Sequence, residues 1–198
     1  MRREGRDPVR RLALALDASD LPPDLKADAL FLHRANRLGD AFAGLAVLNS
    51  HDGFDLTLTT GPNLALATRL GWHGIQMVEL ERASGLSAQV PQRDWDSLLS
   101  DLSFELGGFD ELRRPREAEL GRVALMNAMR PELLRAAAED GVSVYITGQM
   151  RPGALGAARE LGMGVVALGH RRSEQWGLRQ LARELEMAFP ELNCTVYP

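Results

Sequence analysis

Two apolar runs decide the fold class: Val142-Ser143-Val144-Tyr145-Ile146-Thr147 and Met163-Gly164-Val165-Val166-Ala167-Leu168-Gly169-His170. Each is a short β-branched stretch of strand length, and residues 152–161 between them have helical period, opened by Pro152 and followed by Gly162. Strand, helix, strand with these punctuation marks is the signature of βα units and of an α/β fold. Outward from this unit the rhythm continues, with strands over 122–126 and 193–197 and helices over 131–139 and 173–189. Gly141 suits the end of the helix before it, and Ser173 is placed to cap the long helix. That helix would lay Leu178, Leu181, Ala182, Leu185 and Phe189 on one stripe facing a sheet.

The first half repeats the pattern less sharply, with strands over 9–16, 29–32 and 45–49 and a helix over 62–70 whose first turn would hold Pro62. Between the halves the composition shifts to Arg, Asp, Glu, Gly and Pro, which reads as a linker with one amphipathic helix over 95–106. The expected architecture is therefore α/β, with an N-terminal half at 9–80, a linker at 81–119 and a C-terminal half at 120–198.

A chain of 198 residues that is 45% hydrophobic and 25% charged can bury a core without metal or disulfide staples. Its net charge of −4 argues against a nucleic-acid partner, which would call for a basic face. Arg2, Arg3 and Arg6 read as a solvated chain end, and the lone Cys194 as a packing residue rather than a reactive thiol. No run approaches the roughly 20 apolar residues of a membrane span, and Leu12 to Leu16 is too short for a signal-peptide core. A soluble, cytoplasmic protein is expected.

Chemistry is most visible at the histidines. His33 closes the apolar run from Ala29, and His170 closes the run from Val165, so both fall at the carboxyl ends of predicted strands. In open α/β sheets that edge binds ligands. His51 and Asp55 follow the strand at 45–49, and Glu174 lies four residues after His170. Two imidazoles and two carboxylates, His33, His170, Asp55 and Glu174, form a mixed N and O set suited to a divalent ion such as Zn, Mn or Fe. His51 reads as a group orienting Asp55 or a water beside the ion. The plain alternatives are histidines bonded to backbone carbonyls and an Asp55 that only caps a loop. His73, Trp72, Trp95 and Trp176 match no motif and read as structural.

Tyr145-Ile146-Thr147-Gly148-Gln149-Met150, followed by Gly169-His170-Arg171-Arg172-Ser173-Glu174 and a long helix, resembles the C-terminal signature of the Nif-three-like family. Asp28 to His33, Asn49 to Asp55 and Thr60 to Ala65 resemble that family's other motifs. The resemblance implies two α/β halves with mixed sheets meeting at a shared metal-site cleft, a dinuclear centre, a homohexamer, and an activity described as type 2 GTP cyclohydrolase I. It assigns His33, His170 and Glu174 to one metal, and Asp55 and Glu174, with a second His, to another. Here that second His is Arg34, whose guanidinium cannot ligate a metal and brings its own charge. One ion is therefore expected rather than two, with Arg34 pairing with Asp55. Arg34, with Arg171 or Arg172, would orient an anionic substrate such as a nucleotide. A metal-dependent hydrolase is the leading expectation; a non-catalytic metal-binding or assembly protein and a metal-free homologue are the rivals.

Overall fold

The structure is a computed structural model that describes residues 8–36, 38, 40–92 and 94–198. The Arg2, Arg3 and Arg6 cluster lies outside the described residues. In chain order the elements are β1 (Arg11–Asp17), β2 (Ala29–Arg34), β3 (Ala46–Asn49), α1 (Asp52–Leu58), α2 (Leu64–Arg69), β4 (His73–Leu80), β5 (Ala83–Gln89), α3 (Trp95–Leu106), β6 (Glu111–Arg113), β7 (Arg122–Met126), α4 (Pro131–Glu139), β8 (Val142–Thr147), α5 (Pro152–Glu160), β9 (Gly164–Ala167), α6 (His170–Ala188) and β10 (Asn193–Val196). Contacts divide the chain into a first unit of residues up to Phe54 and from Glu174 onward, and a second unit from Asp55 to Ser173.

The first unit is built on a parallel sheet in the order β10-β1-β2-β3. Its centre is the run Leu12-Ala13-Leu14-Ala15-Leu16, buried on both faces as a central parallel strand requires. Ala13, Ala15, Leu30, Leu32 and Val47 pack together on this sheet with Leu21 and Leu38. Asp28 anchors the entry to β2 by accepting the backbone N–H groups of Arg10 (3.1 Å) and Arg11 (2.9 Å) and the Arg11 guanidinium (2.7 Å).

The second unit carries a six-stranded mixed sheet in the order β4-β5-β7-β8-β9-β6, parallel through β7-β8-β9 and antiparallel elsewhere. The βαβ segments fall where their sequence places them, with α4 and α5 opened by Pro131 and Pro152. Leu133 and Leu134 of α4 and Ala154, Ala157 and Ala158 of α5 are buried in the core of this unit.

Several expectations change. The stretch read as a linker holds β5 and β6 as well as α3, and β5 is an interior strand of the sheet. Gly85 lets β5 approach β7 so closely that a Cβ there would lie 2.3 Å from the carbonyl oxygen of Leu125. Small, polar β5 thus has no apolar run to announce it. The two sequential halves are replaced by units that interleave in sequence, because β10 returns to pair with β1. Pro62 lies outside α2, which is capped by Asn63 accepting the N–H of Leu66 at 2.9 Å. The long helix begins at His170 rather than at Ser173, whose hydroxyl donates to the His170 carbonyl at 2.8 Å instead of capping. Its buried stripe includes Trp176, Leu178 and Ala182, while Phe189 is exposed. Among the described residues no helix is long and apolar enough to cross a membrane.

Candidate metal centre

β2 carries His33 and Arg34 at its carboxyl end. Asn49, closing β3 beside it, donates from Nδ2 to the carbonyls of Leu32 (2.7 Å) and His33 (2.8 Å), which fixes the backbone from which both side chains leave. The His33 ring is fully buried and stacks on His51, with centroids 4.5 Å apart and planes 16° from parallel. Phe54 closes another side at 4.8 Å. His51 directly precedes α1, so Asp55 follows it at a spacing of one helical turn. The boundary between the two units runs through this helix, and the spacing of His51 and Asp55 is set by the local chain. His33, His51 and Asp55 each offer a ligand atom, all within 4.8 Å of one another.

The surroundings of His33 favour a cation. Nδ1 lies 3.2 Å from the carbonyl oxygen of Ser50, and Nε2 lies 3.1 Å from Oε1 of Glu174. A neutral imidazole has one N–H and an ionised carboxylate only accepts, so the two contacts together call for a second proton or a metal ion. Glu174 is buried, and Arg34 donates to the same Oε1 from Nη1 at 2.6 Å. The other edge of the guanidinium donates to Asp17, from Nε at 3.1 Å and from Nη2 at 2.8 Å. The hydrogen bond to Asp17, with the charge of Glu174, drives Arg34 further above its ordinary value despite partial burial. The expected Arg34–Asp55 pair is replaced by Arg34 bridging Asp17 and Glu174.

The donor set, two imidazoles and a carboxylate with Glu174 beside His33, fits a borderline divalent ion.

The remaining candidates are placed as follows. His170 opens α6 and is exposed, and the metal-ligating cluster found among the described residues does not include it. Arg171 is exposed on the same turn. Arg172 is a staple rather than a substrate ligand: it donates to the carbonyls of Leu168 (3.0 Å) and Gly107 (2.8 Å) and to Asp110 (3.2 Å). His51, read as an orienting group, is a member of the cluster itself. Asp17 was not singled out by the sequence, although an acidic residue ending the Leu12 to Leu16 run at a parallel-strand terminus was the available signal. Cys194 is half-buried on β10, and burial with the nearby Glu186 pushes its thiol up to about 11.

Fold and cluster together define a two-sheet α/β protein with a candidate His-His-Asp metal site at a strand end. The chain belongs to the Duf34/NIF3 (NGG1p interacting factor 3) family, whose sequence profile matches residues 41–198. No curated protein matches it. Among solved structures it is similar to the protein ybgI, of unknown function, with a TM-score of 0.73 at 22% identity over 98% of this chain and 86% of that one. TTHA1606 from Thermus thermophilus gives a TM-score of 0.69 at 18% identity over 100% of this chain and 86% of that one. A Bacillus cereus protein related to NIF3 gives 0.64 at 14% identity over 98% and 88%. At these identities the likeness speaks for the fold.

Proposed function

We propose that this chain is a metal-dependent hydrolase holding one divalent ion, Zn, Mn or Fe, at His33, His51 and Asp55. The observation that carries the reading is the cluster of His33, His51 and Asp55, whose ligand atoms all lie within 4.8 Å of one another with His33 fully buried. A divalent ion at that place supplies Lewis acidity and makes a nucleophile of water near neutral pH. The Ser50 carbonyl would take the N–H of Nδ1 and so orient the imidazole, leaving Nε2 to face the ion beside Glu174, which Arg34 holds in place. Phe54, packed on His33, shields this side of the cluster from bulk water. The type 2 GTP cyclohydrolase I activity implied by the sequence resemblance is one form of the reading, in which water adds to a purine ring carbon and the ring opens. A nucleotide substrate, a homohexamer and a cytoplasmic location belong to the same proposal.

The test is the metal content of protein purified without added metal, followed by turnover of GTP and simple phosphoesters beside a His33→Ala variant. About one ion per chain, and turnover lost in the variant, support the proposal. Equal background from both proteins sinks the hydrolase. Metal content of His51→Ala and His170→Ala then separates two ligand sets: loss with His51 alone supports the cluster described above, and loss with His170 alone supports the set implied by the resemblance.

A further inference from the structure

We propose that the outer edge of β4 binds a second copy of this chain, through an antiparallel β4–β4 ladder about a two-fold axis that continues the six-stranded sheet. This names one contact of the assembly proposed above, and it depends neither on the metal site nor on the number of copies. β4 and β5, the strand it pairs with, both lie within the second unit.

The four edge strands are not alike. β3, β6 and β10 have four, three and four residues, too short to offer a long ladder. β10 is also guarded. Asn193 and Tyr197 donate their N–H groups to the carbonyls of Arg10 and Leu14, so the N–H of Cys194 between them points outward, where Oε1 of Glu186 accepts it at 2.8 Å. β4 has eight residues, none of them Lys or Pro. Its register shift against β5 is confined to 73–76, where Gly74 has φ 56°, and from Gln76 to Leu80 the pairing is regular. Beyond the ladder with β5, the backbone of residues 75–80 has no hydrogen-bond partner among the described residues. Such an edge is a template for another strand. Met77 is 54% exposed and Leu80 41%, and they lie on opposite faces of the strand. A partner packed on one face would leave the other in water, whereas a strand added at the edge covers both.

Residues 76–80 are complementary to themselves. An isologous contact pairs each residue i with j and j with i, so only the position of the axis is open. With the axis at Val78, Val78 faces its own mate, Gln76 faces Leu80, Met77 faces Glu79, and all five regularly paired residues take part. Val78 and Leu80 of both copies then meet on the face where Val78 already packs on the core. Glu79, the one charge among the five, faces Met77. An axis at Glu79 would set two carboxylates directly opposite each other, which is destabilising, and an axis at Met77 would draw the shifted segment into the ladder. This self-complementarity selects a second copy over an unrelated strand.

The experiment traps the contact in the full chain. In a Cys194→Ser background, Val78→Cys sets two thiols across the axis with Cβ atoms about 5 Å apart, within reach of a short bismaleimide linker. A covalent dimer of twice the 21.7 kDa chain is expected on a denaturing gel, and it should be lost when Met77→Lys and Leu80→Lys are added. Hydrogen exchange serves as a second readout should Val78→Cys not fold. The amides of 76–80 that β5 does not engage should exchange about tenfold or more slower in the unaltered chain than in Met77→Lys/Leu80→Lys. A chain that is monomeric in solution, a folded Val78→Cys that gives no covalent dimer, a dimer that persists with both lysines, or equally fast exchange in both proteins overturns the inference. A hexamer mass without the cross-link removes this contact and leaves the proposed assembly standing. Metal content and turnover enter neither readout, so the hydrolase stands or falls separately.

Discussion

At the scale of single residues, Arg34 determines most of the site's character. It turns a position where a histidine would offer a lone pair into a fixed positive charge, and it spends that charge on Asp17 and the buried Glu174. Removing one partner of such a pair leaves the other charge poorly compensated. Arg34→Ala should therefore cost about 3 kcal/mol in urea unfolding of the metal-free chain, and an unchanged midpoint would show that the pair contributes nothing. Asp28 gives a separate test on the acid side. Hydrogen bonding from the Arg11 side chain, and from the backbone of Arg10, holds its carboxyl at about 2 instead of the ordinary 3.8. The folded pKa is the lower one, so its stabilising contribution is complete above about pH 4 and is lost as the pH falls through about 2. Unfolding midpoints of Asp28→Asn should lack that part of the acid-side decline, and curves parallel to the parent between these values would contradict the assignment.

Among the elements, α6 and α1 matter most, because they carry Glu174 and Asp55 near their starts. α6 leaves β9 through Gly169 at φ 89°, where a Cβ would come within 2.6 Å of the Asp110 carboxylate. Gly169→Ala should destabilise by about 1–3 kcal/mol, read as a lowered melting temperature, and a neutral result would mean that the turn relaxes. The helix-forming sequences were legible throughout the βαβ region, where apolar runs, Pro131, Pro152 and the following glycines all agree. β5 and α1 were not. β5 is made of small and polar residues because it lies against β7, and α1 is only seven residues long, with His51 and Asp55 reading as loop residues. The candidate site was partly legible for the same reason: His33, Asp55 and Glu174 stood at strand or helix ends, while the stacking that recruits His51 depends on a turn with no sequence signature.

On the scale of the whole molecule, a cation that binds only the folded chain should raise its stability by mass action. Zn, Mn or Fe should raise the melting temperature of EDTA-treated protein and His33→Ala should respond less; equal shifts would place the ion elsewhere. The hexamer implied by the resemblance predicts a solution mass near six times the 21.7 kDa chain, and a monomer mass would exclude it. By itself the sequence determined the α/β class and the strand ends that could hold a ligand, because hydrophobic period and turn chemistry are local properties. Only the tertiary structure decided that β10 pairs with β1 and that Arg34 reaches Asp17 and Glu174 rather than Asp55. Those are contacts between residues up to 182 positions apart in the pairing of β1 with β10, and such contacts depend on how buried surfaces fit, which no local pattern encodes.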